Sequence, residues 1–112
     1  MAKESILLTG SNGLLGRALA PLLADKYQLV HLDLVDPADG NPHIQADLCD
    51  AAAVENACQG ITAIVHAGAL HGRRWAEAGD DAGFCVNVLG TKNILEGARK
   101  AGVRRVVYTS SI

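Results

Sequence analysis

The chain has 112 residues, 49% of them hydrophobic and 20% charged, with a formal net charge of -2. That suffices for one domain with a modest core and is too apolar for a disordered chain. The ten basic residues are scattered and the N-terminal apolar run is short, so we expect a cytoplasmic protein that binds neither nucleic acid nor membrane.

Residues 5–9, SILLT, form a short apolar run that ends at Gly10 and reads as a buried strand. From Gly13 to Lys26 the apolar residues Leu14, Leu15, Ala18, Leu19, Leu22 and Leu23 recur at helical spacing. Pro21 falls inside that helix and should kink it or remove a hydrogen bond. Residues 28–34 and 42–48 predict a second strand and a short third one. Asp50 can cap a helix that runs through Cys58 and stops at Gly60. Residues 61–69 predict a fourth strand running into a loop.

His71, Arg73, Arg74 and Trp75 read as surface residues of a mobile loop, with a substrate-facing loop as the alternative. Asp80 or Asp81 should cap a long helix to Ala101, with Phe84, Val88, Thr91, Leu95 and Ala98 on one face. Residues 104–112 predict a fifth strand.

Strands alternating with helices imply an α/β fold: a Rossmann-type parallel sheet with helices on both faces, here stopping after about five strands. We read residues 1–112 as one such domain. Ligands of these sheets bind at the carboxyl ends of the strands, beside the first one.

The stretch LLTGSNGLLGRAL places Gly10, Gly13 and Gly16 between the first strand and the first helix. A helix N-terminus presents unpaired N–H groups and partial positive charge, so a phosphate can sit there where no side chain blocks it. The G-x-x-G-x-x-G spacing is neither the common G-x-G-x-x-G fingerprint nor a Walker loop. Asp33 ends the second strand, where a carboxylate can accept hydrogen bonds from adenosine ribose hydroxyls and repel a 2′-phosphate. The alternative is a turn aspartate, a part Asp36 before Pro37 fills more naturally. Cys49, Cys58 and Cys85 are odd in number without C-x-x-C spacing, and the four histidines lack metal-ligand spacing. Buried thiols are expected, with neither a disulfide framework nor a metal site.

TGSNGLLG, ADLCD, HAGA and NVLGTKNILEGARKAGVRRVVYTSS, in that order, resemble the N-terminal part of the extended short-chain dehydrogenase/reductase family, the NAD-dependent epimerase/dehydratases. The middle stretch resembles the uronate dehydrogenase branch. The resemblance implies a nicotinamide dinucleotide as partner, NAD rather than NADP, and in a longer form a sugar or sugar-nucleotide substrate.

It implies that Gly10, Asn12, Gly13, Leu14, Leu15 and Gly16 hold the pyrophosphate and that Asp33 binds the adenosine ribose. It implies that Asp47 and Leu48 line the adenine site, and that His66, Ala67, Gly68 and Ala69 back the ribose and diphosphate. Asn87 would be a structural amide with backbone partners. Ser111 matches the serine that hydrogen-bonds the substrate's reacting oxygen, a catalytic role. The family's general base is a tyrosine with a lysine four residues later. Neither Tyr27 nor Tyr108 has that lysine. The chain alone is therefore expected to be inactive in the family reaction, an enzyme's NAD-binding portion or a non-catalytic NAD-binding module or scaffold. The expected fifth-strand edge and the long helix, a region of dimer contacts in the family, imply a homo-oligomer.

Overall fold

A computed structural model describes residues 3–110. Its centre is a parallel sheet of β1 (Ser5–Thr9), β2 (Gln28–Asp33), β3 (His43–Gln45), β4 (Ala63–His66) and β5 (Arg105–Tyr108), in the spatial order β3-β2-β1-β4-β5. The order runs outward in one direction from β1 to β3 and in the other from β4 to β5. The crevice beside β1 is thus the switch point, where loops diverge and leave space for a ligand.

The connections are α1 (Leu14–Lys26), α2 (Ala51–Ala57), α3 (Gly72–Ala78), α4 (Asp80–Phe84), a π-helical turn (Cys85–Leu89) and α5 (Gly90–Ala101). Alternating side chains of β1 feed two cores. Ile6 and Leu8 pack with Leu29 and Ala20 under α1. Leu7 packs on the opposite face with Ile64, Val54, Cys58, Ile94 and Ala98, under α2 and α5. Helices cover both faces, as the alternation predicts.

Asp50 caps α2, its carboxylate accepting from the Ala53 N–H at 3.2 Å. Pro21 lies within α1 on its exposed side and does not end the helix. The apolar list for α1 is only half right. Ala20 is buried and Leu19 and Leu23 pack on the core, but Leu14, Leu15 and Leu22 are exposed. Leu14 and Leu15 belong to the end of the helix that faces the crevice, not to its core stripe.

The predicted long helix is broken. Gly79, not an aspartate, precedes α4, and Asp80 accepts a hydrogen bond from Trp75 Nε1 at 2.8 Å. The Gly90 N–H bonds to the Cys85 carbonyl, a π-type step that inserts one residue and rotates the register. The buried face of α5 is consequently Gly90, Asn93, Ile94, Gly97 and Ala98, while Phe84, Val88 and Leu95 are exposed. Gly97 lets α5 approach α2, since a Cβ there would lie 3.1 Å from Cys58 Sγ.

Residues 72–78, read as loop, form α3. Cys58 is a buried thiol as expected, but Cys49 and Cys85 are joined in a disulfide, with Cα atoms 5.9 Å apart. Their separation of 36 residues is no local pattern, and only the docking of the 47–49 loop on the π turn brings them together.

Candidate functional site

A cavity of about 640 Å³ opens at the carboxyl ends of β1, β2 and β4. The glycine loop forms its floor. Gly10 has φ +73° and donates its N–H to the Leu32 carbonyl at 3.2 Å. A Cβ on Gly10 would lie 2.7 Å from the Gly68 nitrogen, so the first turn and the β4 loop touch backbone to backbone. A Cβ on Gly16 would strike the Gly10 carbonyl oxygen and lie 2.8 Å from Ser11 Cα. Only a residue without a side chain allows α1 to start this close to the loop. Gly13 donates to the Gly10 carbonyl at 3.0 Å, and its own carbonyl accepts from Arg17. No carboxylate stands in the first turn of α1, and Gly13, Leu14, Leu15 and Gly16 bring the positive end of the helix to the cavity.

Asp33 stands at the end of β2 and lines the cavity. Its Oδ2 accepts from the Asn12 backbone N–H at 2.9 Å, while Oδ1 has only a long 3.4 Å contact from the Val35 N–H. One oxygen thus ties the glycine loop down, and the other makes no short hydrogen bond among the described residues. A second tie was missed at the sequence level. Buried Ser11 and His31 meet at 2.7 Å between Oγ and Nδ1, and His31 Nε2 meets Asp39 Oδ2 at 2.7 Å. Burial alone would raise the Asp39 carboxyl, but hydrogen bonds from Asn41 and His31 outweigh it and hold it below its ordinary value. A serine inside the loop facing a histidine in the middle of β2 was the only signal available, and it has no fixed spacing.

On the far side of β2, Asp47 and Leu48 line the cavity. Asp47 closes an Asx turn onto the Cys49 N–H at 2.9 Å. Leu48 is docked on α5. Its carbonyl accepts from Asn93 Nδ2 at 2.8 Å, and Gly90 leaves room for its side chain.

Ala67, Gly68 and Ala69, after β4, form the opposite wall. His66 does not line the cavity. It is buried below and supports the wall. Thr9 Oγ1 accepts from the Ala67 and Gly68 N–H groups at 3.1 and 3.0 Å. Its hydroxyl proton must therefore go to His66 Nδ1, 2.6 Å away. His66 Nε2–H then donates to Thr91 Oγ1 at 3.0 Å, and Thr91 donates to the Asn87 carbonyl at 2.8 Å. Burial pushes the His66 ring down to about 4, so it is neutral, as this chain of donors requires.

Asn12 also lies outside the cavity lining, its side chain turned to the Val35 carbonyl at 2.6 Å. Asn12 and His66 lie off the lining for the same reason, since both side chains are occupied in holding the loops that do line it. Leu14, Leu15, Gly10, Gly13 and Gly16 line it as expected. Asn87 clamps the backbone of Leu70 from both sides, accepting from its N–H and donating to its carbonyl, each at 2.7 Å. Thr109 donates to the His66 carbonyl from its N–H at 3.2 Å, which sets the end of β5 beside the same wall. Ser111 lies outside the described residues. Among those residues no group of histidines, cysteines and carboxylates has the arrangement of a metal site. Among them, too, no helix is long and apolar enough to cross a membrane.

The comparisons with known proteins agree with this geometry. The model of the NAD dependent epimerase/dehydratase family matches residues 6–112. Uronate dehydrogenase of Pseudomonas putida is 36% identical over 112 residues, covering 95% of this chain and 40% of that protein. A short-chain dehydrogenase/reductase superfamily protein of Agrobacterium tumefaciens, solved with bound NAD, superposes with a TM-score of 0.85 at 37% identity over 96% of this chain. Uronate dehydrogenase of Agrobacterium tumefaciens superposes with a TM-score of 0.84 at 36% identity over 99% of it. The chain spans 33% and 42% of those two structures.

Proposed function

The chain belongs to the NAD dependent epimerase/dehydratase family, and on that premise we propose that residues 1–112 are a single NAD-binding domain. It would serve an oxidoreductase or epimerase acting on sugars or sugar nucleotides, uronates among them. The observation that carries this is the cradle itself. Gly10, Gly16 and Gly68 stand where a Cβ would strike neighbouring atoms, under a helix N-terminus with Asp33 at its side. Such a floor admits a pyrophosphate against backbone N–H groups.

The adenosine half lies towards Asp33 and Asp47. Asp33 Oδ1 accepts from the ribose hydroxyls and would repel a 2′-phosphate, which favours NAD over NADP. Asp47 lies near the exocyclic amine of adenine and Leu48 packs on the ring. Ala67, Gly68 and Ala69 back the diphosphate and the second ribose, held by Thr9 and His66 beneath. The nicotinamide ring of bound NAD accepts or returns a hydride. Ser111 would hydrogen-bond the substrate's reacting oxygen.

No Tyr-x-x-x-Lys occurs in this sequence. General acid–base help is worth about 10²–10⁴-fold, so the chain by itself binds cofactor without appreciable turnover. That same observation favours a second reading, a non-catalytic NAD-binding module. Exposed Phe84, Val88 and Leu95 support self-association of this unit, which light scattering over a concentration series tests.

Calorimetric titration with NAD and NADP tests the cofactor reading. Saturable NAD binding with NADP at least about tenfold weaker is expected, the size of one lost charge-assisted contact plus repulsion. Equal affinities would sink the role of Asp33, and absence of both would sink the cradle.

A further inference from the structure

Arg73 and Arg74 are the only lysine or arginine residues lining the 640 Å³ cavity. Among the described residues neither makes an ion pair or a side-chain hydrogen bond. Of the cavity's carboxylates, Asp33 ends β2 and Asp47 follows β3, whereas the arginines follow β4, on the other flank of β1. The site is therefore polarised across the switch point, acidic on one side and basic on the other.

The basic flank is also held in place. Asn87 grips Leu70 just upstream at two 2.7 Å bonds. Trp75, the next residue downstream, donates to Asp80 at 2.8 Å. Its ring fills the space over Gly83, where a Cβ would collide with it, and lies 6.3 Å from the Phe84 ring. The two arginines are exposed, as expected of a surface segment, but they lie in α3 rather than in a loop, and contacts on both sides anchor that segment. Two guanidiniums at the cavity on an anchored segment, with no acidic partner among the described residues, suit a carboxylate or a phosphate in bidentate geometry.

We propose that Arg73 and Arg74 form an anion-recognition rim on the β4 flank of the cavity, taking a carboxylate or phosphate of the ligand beside the glycine cradle. The inference rests on the NAD reading only for which ligand brings the anion, a substrate acid group or the cofactor's pyrophosphate.

The arginine Nε–Hε resonances of the ¹⁵N-labelled chain report on this directly, with exposed Arg104 and Arg105 as internal controls. The probes are glucuronate, neutral glucose, inorganic pyrophosphate and NAD. Glucuronate should shift Arg73 and Arg74 saturably, glucose should not, and the controls should stay. The double variant Arg73→Gln/Arg74→Gln, whose sites are exposed, should keep the native melting temperature. It should weaken glucuronate binding by about tenfold or more and leave NAD affinity unchanged, which identifies a substrate acid group. Loss of NAD and pyrophosphate binding by the same factor, with glucuronate unaffected, identifies the cofactor's pyrophosphate, and the rim stands. Equal shifts at the control arginines, or unchanged affinity for every anion in the double variant, would overturn it. If the native chain ignores NAD while Arg73 and Arg74 still answer glucuronate, the cofactor reading fails and the rim survives.

Discussion

Acidification should weaken this fold through one residue, His66. In the folded chain its pKa is depressed to about 4, against 6.5 for the free side chain, because burial disfavours the charged ring. Between those values the unfolded chain binds a proton that the folded chain refuses, so stability rises with pH. The contribution is complete above about pH 6.5 and is lost as the pH falls to about 4. At about 1.4 kcal/mol per pKa unit the whole effect is about 3 kcal/mol, of which about 2 kcal/mol is gone by pH 5. Geometry gives the same sign. A proton on Nδ1 leaves the Thr9 hydroxyl with no acceptor at 2.6 Å, while Thr9 still has to hold the Ala67 and Gly68 N–H groups. Urea unfolding at pH 7 and pH 5 measures the loss. His66→Gln keeps an acceptor towards Thr9 and a donor towards Thr91 without titrating, so its stability should fall by about 2 kcal/mol less over the same interval. Equal losses in the two proteins, or an NMR midpoint for the His66 ring near 6.5, would refute the reasoning.

Gly16→Ala should destabilise by at least about 2 kcal/mol despite alanine's better helix propensity, because the new methyl meets the Gly10 carbonyl and Ser11 backbone. A melting temperature at or above the native one would show that the loop relaxes freely. Asp33→Ala removes the acceptor of the Asn12 N–H as well as the ribose contact. NAD affinity should drop by about tenfold and discrimination against NADP should shrink, as read by parallel titrations. Opening the Cys49–Cys85 disulfide, by reductant or by Cys49→Ser, frees a loop of 36 residues in the unfolded chain. Loop entropy puts the loss near 3–4 kcal/mol, and denaturation curves that coincide with and without reductant would contradict it.

The parts of the site written in contiguous residues were legible early. Strand, glycines and helix follow one another within residues 5–26, and each glycine has a local reason to be one. Asp33 and Asp47 could be placed at the cavity because a carboxylate at or just after a strand end has few places to point. Asn12 and His66 were read as ligand contacts because they adjoin residues that line the cavity. Their side chains instead turn to Val35 and to Thr9 and Thr91, partners 23, 57 and 25 positions away in sequence. Arg73 and Arg74 are exposed as expected, but their place in a helix beside the cavity was not legible, because nothing near them in sequence shows that Asn87 and Asp80 pin their segment.

By itself, then, the sequence determined the alternation of strands and helices, the glycine cradle and the carboxylates beside it. Each rests on interactions between residues a few positions apart, which periodicity and backbone stereochemistry report directly. The tertiary structure alone decided which face of α1 and α5 is buried, where the π turn resets the register, that Cys49 meets Cys85, and that the cavity is acidic on one flank and basic on the other. Those features depend on where parallel crossovers set distant segments side by side, and no local pattern records that distance.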